Sequence, residues 1–188
     1  RAEIEKYKSL ELNVEFLTEE NKNLQNILET EYFNKNLSNI LLAKVLVDKN
    51  SPFLKSVIIN KGTRAGVLKG MPVTKDNYLV GRVVETNYLS SRVLLLNDLN
   101  SRIPVTLDQG AQAILSGSGS KNPILEYLPE DYEIISDINV FASGKDGIFA
   151  PGTPIGKTNN EGNIELFVAP NQLSFVTVNL NFQSKGKL

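Results

Sequence analysis

The sequence predicts an all-β body behind one long N-terminal α-helix, and three observations carry that prediction. Residues 1–31 hold none of the 13 Gly or 8 Pro of the 188-residue chain, so the turn-forming chemistry is confined to residues 32–188. The apolar period is helical before Asn34 and close to two after it. In the last β-rich run Val176, Val178, Leu180 and Phe182 share one face while Thr177, Asn179 and Asn181 share the other, the alternation of a half-buried strand.

The helix comes first in the chain. With Tyr7 at heptad position a, Tyr7, Val14, Asn21 and Leu28 occupy a, and Leu10, Leu17 and Leu24 occupy d. A β-branched a residue with Leu at d favours a two-stranded coiled coil, and one Asn at a fixes register at some cost in stability. Lys6 at g and Glu11 at the following e could pair across a parallel dimer. Leu12 at f and Phe16 at c fit this seam badly, and Glu3 and Glu31 at outer d positions mark where it frays. At 1.5 Å per residue such a stalk would reach roughly 45 Å.

Eight short runs between turn signals then read as strands: 39–47, 55–60, 79–86, 92–96, 103–107, 111–115, 163–169 and 175–182. Many short strands with Gly and Pro turns point to sandwiches or barrels.

Composition excludes several functions. The chain has no His and no Cys, which removes Ser-His-Asp and Cys-His nucleophiles, zinc and iron-sulfur sites, and thiol chemistry. A net charge of -1 supplies none of the basic field that a nucleic-acid partner requires. The longest uncharged run, 166–184, contains Pro170, Asn171, Gln172, Asn179 and Asn181 and is too polar to cross a bilayer. Because the chain opens on Arg1 and not Met, it is expected to be a piece of a longer protein whose membrane anchor lies upstream of Arg1.

The remaining motifs are architectural. KGTRAGVLKGM, from Lys61 to Met71, spaces Gly62, Gly66 and Gly70 as turn residues and lacks the strand, loop and helix of a phosphate cradle. SGSGS at 116–120 reads as a flexible loop. Glu130, Asp131 and Glu133 form the tight carboxylate cluster, but sequence neighbours in a Pro-flanked loop do not face each other across a cleft as a glycosidase pair must. Residues 136–158 read SDINVFASGKDGIFAPGTPIGKT, with turns at Gly144, Gly147 and Pro151-Gly152, and a further strand starting at Ile155-Gly156.

That last segment resembles the most characteristic stretch of the MreC family of cell shape-determining proteins. Asp137, Val140, Ser143, Gly144, Gly147, Phe149, Gly152, Pro154, Ile155 and Gly156 match the family pattern; Ser136, Ala142, Ala150-Pro151 and Thr158 depart from it. KGTRAGVLKGMPV followed by LVGRVVE is similar to the family's first-barrel core, with Asn77-Tyr78 where a Gly is common, and Asn77 tolerates a left-handed backbone. A closing Val168-Ala169-Pro170 stands in the family's order before the last strand.

The resemblance implies an N-terminal coiled coil followed by two small β-barrels, a chymotrypsin-like double barrel without catalytic residues. On this reading 1–37 is coiled-coil helix and linker, 38–108 with 171–182 the first barrel, 109–170 the second, and 183–188 a disordered tail. It also implies a non-catalytic scaffold without cofactor or metal on the periplasmic face of the inner membrane, single-pass anchored in the full-length protein. That scaffold would be a homodimer binding the elongation penicillin-binding transpeptidase, in one complex with MreD, RodA and MreB. Two alternatives are a carboxylate-dependent wall hydrolase using Glu130, Asp131 or Glu133, and a periplasmic adaptor of an export system, which would need a helical hairpin where this chain has one terminal helix. Since interfaces are anchored by exposed apolar and aromatic side chains, Tyr78, Tyr88, Leu89 and Tyr127 are the candidate partner-binding residues.

Overall fold

A computed structural model describes residues 2–33, 39–50, 55–108 and 110–180. The chain separates into two compact units, Arg1–Ser38 and Asn39–Leu188. In the first, α1 runs over Ala2–Phe33 without a break, as the absence of Gly and Pro requires. Tyr7, Leu10, Val14, Leu17 and Asn21 of the heptad seam are exposed on the single chain and Leu24 is half-buried; the Leu28 side chain lies outside the described residues.

The second unit is all β. Its first barrel closes in the order β1-β12-β3-β4-β5-β2, from β1 (Ile40–Asn50), β2 (Lys55–Ile59), β3 (Pro72–Lys75), β4 (Tyr78–Thr86), β5 (Ser91–Leu95) and β12 (Phe175–Asn179). Every neighbouring pair is antiparallel. Val57, Ile59, Val73, Val80, Val83, Val93, Val176 and Val178 are among the side chains filling it. These small β-branched residues suit the inside of a narrow barrel. A bulge between Val45 and Val47 bends β1, so that one strand pairs with β12 along its first half and with β2 along its second. Asp76 and Asn77 take φ of 51° and 68° and make the two-residue β3–β4 turn, so the left-handed backbone anticipated at Asn77 is present.

The second sheet has the order β11-β10-β9-β6-β7-β8, from β6 (Arg102–Leu107), β7 (Gln112–Ser116), β8 (Ile124–Glu126), β9 (Asn139–Ala142), β10 (Pro154–Thr158) and β11 (Ile164–Leu166). It curls into a barrel that nearly closes: an isolated bridge joins Ile124 to Asn163, and the Ile164 amide donates to the Pro123 carbonyl at 2.8 Å. Pro123 has no N–H to return the bond, which stops the ladder at that point.

Two expectations from sequence need correction. Residues 103–107 are expected in the first barrel, with its boundary at 108, but β6 pairs with β7 and β9 in the second. Alternation of Ile103, Val105 and Leu107 identifies a barrel strand without saying which barrel receives it, and the chain has already crossed over in the turn after Leu95. The expected runs also omit the short strands β3, β8 and β9, each of three or four residues and too brief for a period to declare itself. The 175–182 run keeps Val176 and Val178 buried through Asn179; Phe182 and the 183–188 tail lie outside the described residues.

The second barrel is therefore inserted between β5 and β12 of the first. The two share their cores: Leu79 from β4 and Leu96 from the crossover pack in the second cluster, while Val168 and Leu173 from the returning segment pack against the first.

Candidate functional surfaces

The crossover between barrels is organised by a buried carboxylate. Asp98 is fully buried; its Oδ2 accepts from the Lys55 amide at 2.6 Å, and its Oδ1 from the Asn100 amide at 2.7 Å and Asn100 Nδ2 at 3.1 Å. Asn97 Nδ2 beside it donates to the Ser120 carbonyl at 2.9 Å, and Gly117 lies so close that a Cβ there would meet the Asp98 backbone. Every one of these partners holds chain geometry and none is arranged to react.

Glu130, Asp131 and Glu133 are all exposed in one loop, so the cluster makes no cleft. Among the described residues no group of three or more His, Cys, Asp or Glu is placed to hold a metal ion. What the barrels offer is surface.

The four candidate residues fall in three places. Tyr78, at the start of β4, is half-buried and its ring stacks on Phe167 just after β11, with centroids 5.0 Å apart and planes at 46°. It belongs to the junction between barrels. Tyr127 comes directly after β8 on the second barrel, 82% exposed and with φ of 59°. At the β10–β11 turn, 159–163, stand Ile124, whose backbone bridges Asn163, and Ile134, 3.6 Å from where a Cβ on Gly162 would lie. Ile135, 57% exposed, is next in the chain.

Tyr88 and Leu89 form the tip of the β4–β5 hairpin, 65% and 59% exposed. This tip is clamped onto the 3₁₀ turn Thr63–Ala65: the Thr63 amide donates to the Asn87 carbonyl at 2.9 Å and the Arg64 amide to the Tyr88 carbonyl at 3.1 Å. Ser91 Oγ adds a bond to the Lys61 carbonyl at 2.8 Å. Gly62 permits the approach, because a Cβ there would stand 2.7 Å from both Ser90 N and Tyr88 O and closer still to Asn87 O. The Lys61 to Met71 loop is thus the clamp of the hairpin. Its exposed Leu68 gives no signal of its own in a segment whose pattern is dominated by glycines.

This double-barrel core is matched by the family model for rod shape-determining protein MreC, barrel core, over residues 45–179. The chain belongs to the MreC family. A cell shape-determining protein MreC of Caulobacter vibrioides is 36% identical over 115 residues, 61% of this chain and 33% of that protein. The chain thus spans about a third of the length of the curated MreC relatives it matches. The crystal structure of MreC from Pseudomonas aeruginosa superposes with a TM-score of 0.68 at 27% identity, covering 75% of this chain and 99% of that one. An MreC from Helicobacter pylori, solved in complex with the penicillin-binding protein PBP2, shares the fold at 13% identity and a TM-score of 0.56, covering 76% of this chain and 99% of that one. The curated MreC relatives are named for cell shape and not for a reaction, in keeping with a chain that contains no His or Cys.

Proposed function

We propose that this chain is the stalk and double-barrel region of a non-catalytic scaffold for lateral cell-wall synthesis. The observation that carries the proposal is the family barrel core over 45–179, together with a fold relative solved bound to a penicillin-binding protein. On this reading the full-length protein is anchored by a segment upstream of Arg1 and works at the periplasmic face of the inner membrane. The coiled coil formed through Tyr7, Leu10, Val14, Leu17, Asn21, Leu24 and Leu28 pairs two copies. The barrels bind the elongation transpeptidase, in one complex with MreD, RodA and MreB.

Of the candidate contacts, Tyr127 with Ile135 offers the transpeptidase an aromatic and an aliphatic anchor on the second barrel, while Tyr78 is already engaged with Phe167. Capture of the extracytoplasmic part of the transpeptidase by the chain is the direct test. Retention by the unaltered chain and loss with Tyr127→Ala/Ile135→Ala supports it; no retention by the unaltered chain refutes it. The stalk is tested separately: Leu17→Lys/Leu24→Lys places charge in the seam and should sediment as a monomer with intact barrels. A monomer for the unaltered chain at high micromolar concentration would remove the dimer from the proposal.

A further inference from the structure

The β8–β9 connection, residues 127–138, is held to the second barrel from inside. Leu128 and Tyr132 pack against its core, and the Tyr132 amide donates to the Pro129 carbonyl at 3.0 Å, closing a turn with Glu130 and Asp131 at its tip. Farther on, the buried Thr158 donates its hydroxyl to the Ile135 carbonyl at 2.5 Å and accepts from the Ile138 amide at 2.9 Å. Around these anchors Tyr127, Ile134 and Ile135 are exposed. Tyr127 has a left-handed backbone, which a bulky residue rarely adopts, and its ring covers little of the fold. The barrel would be served as well by Asn or Gly there, so the use of the ring lies outside the chain.

The charge along this connection is of one sign. Glu130, Asp131 and Glu133 are exposed, and no Lys or Arg occurs between Lys121 and Lys145. Among the described residues none of the three carboxylates has an ion-pair partner. Cations on neighbouring elements have groups of their own: Arg102 lies 3.7 Å from Glu126, Lys157 stands opposite Glu165 in the β10–β11 ladder, and Lys145 Nζ bonds Gln112 Oε1. Tyr127 precedes Glu130 by three residues, so ring and carboxylates lie within about 10 Å along the backbone, inside the span of one short segment.

We propose that this loop is a preorganised dock for a basic segment of the transpeptidase, in which Glu130, Asp131 and Glu133 pair with Lys or Arg side chains while Tyr127, Ile134 and Ile135 cover their stems and an adjoining apolar side chain. The inference rests on the reading that the barrels bind the transpeptidase, and adds the chemistry of the segment that does so. Other occupants fit less well. Carboxylates repel anionic bilayers and nucleic acid. Among the described residues no group of three or more His, Cys, Asp or Glu is placed to hold a metal ion. A glycan would stack on the ring and leave the two isoleucines bare. A basic segment uses all six side chains: its cations find unpaired acids, an Arg lies over the Tyr face, and aliphatic stems pack on Ile. Because the loop is fixed before binding, the cost of ordering falls on the partner alone.

Two measurements test it. A synthetic peptide of alternating Arg and Leu should bind the full 188-residue chain at low salt, and the same peptide with Gln for Arg should not. Binding should fall about tenfold in Glu130→Lys/Asp131→Lys/Glu133→Lys. It should fall about threefold in Tyr127→Asn, which suits the left-handed backbone and should unfold no earlier than the unaltered chain. The control Glu5→Lys/Glu15→Lys/Glu19→Lys, exposed on α1, makes the same change in net charge and should bind as the unaltered chain does. No binding of the Arg peptide, equal binding of the two peptides, or equal losses in loop and control variants overturns the proposal. If the triple loop variant loses its fold by circular dichroism, Tyr127→Asn decides in its place. Capture of the extracytoplasmic part of the transpeptidase then assigns the partner. Loss of capture in the loop variant is expected, and full capture by a loop variant that no longer binds the peptide overturns the transpeptidase as occupant. Absence of capture by the unaltered chain refutes the earlier reading of function, and the peptide result still decides the chemistry of the loop.

Discussion

Replacing Asp98 by Ala tests whether burial sets the worth of a carboxylate in this fold, because the chain contains a matched control. Asp98 Oδ2 holds the amide at the head of β2, 43 residues earlier, and Oδ1 caps the crossover turn through Asn100. Asp108 does a similar job on the surface, where Oδ2 accepts from the Asn139 amide at 3.0 Å and Asn139 Nδ2 at 2.8 Å. A bond to a charged acceptor contributes about 1.5 to 3 kcal/mol when its donor would otherwise be left without a partner. The Lys55 bond should count nearly in full, and the Asn100 pair less, because Asn100 is exposed and water can replace the acceptor. The total for Asp98→Ala is about 3 kcal/mol, against less than about 1 for Asp108→Ala, whose donors can be rehydrated. Urea unfolding followed by Tyr fluorescence, which no Trp obscures, gives both numbers, and thermal melting should place Asp98→Ala roughly 6 to 12 °C below the unaltered chain. If the two variants fall within about 0.5 kcal/mol of each other, burial is not what gives Asp98 its weight, and the reasoning fails.

Gly62→Ala should destabilise by about 2 to 4 kcal/mol, since the new methyl displaces the hairpin backbone and weakens its bonds to Thr63 and Arg64; amide exchange at Thr63 and Arg64 should accelerate in step. Leu79→Ala should cost about 2 to 5 kcal/mol and, because this β4 side chain fills the second barrel's core, lower the unfolding midpoint of both barrels in a single transition. Two separated transitions would contradict the shared core. Asn21→Leu should raise the stability of self-association while broadening its stoichiometry, seen as a mixture in sedimentation velocity.

The strands legible in the sequence are those long enough to alternate. β5, β6 and β12 show period two over five residues or more, and their buried positions track it, whereas β4 buries Leu79, Val80 and Gly81 in succession and is legible by its length and β-branched content. β3 opens on Pro72 and covers four residues, and β8 covers three; these are visible only as partners of longer strands. The boundary between barrels is illegible for another reason. It depends on whether β6 pairs back with β5 or onward with β7, and the crossover before it is held in part by Asp98 on the Lys55 amide, a contact across 43 residues that leaves no periodic trace. Of the candidate site, Tyr88 and Leu89 are legible because a hairpin tip can be read from turn residues. The half-burial of Tyr78 against Phe167 is not, since the contact joins positions far apart in the chain.

The placement of one barrel inside the sequence of the other has a consequence for a chain that emerges N-terminus first. β1 and β3 are complete by Lys75, yet the strand that lies between them does not exist until Phe175 has been made. For that interval the first barrel is an open sheet with two unpaired edges, each a template for a neighbouring nascent chain. The second barrel has no such wait, since β6 to β11 are contiguous in the chain and its ladders reach no farther than β6 with β9, Val105 to Ala142. The order of maturation should therefore run against the order of synthesis: the inner barrel first, then β12 drawn into its slot as the last strand. A chain truncated before Phe175 would retain a formed second barrel and aggregate through the first.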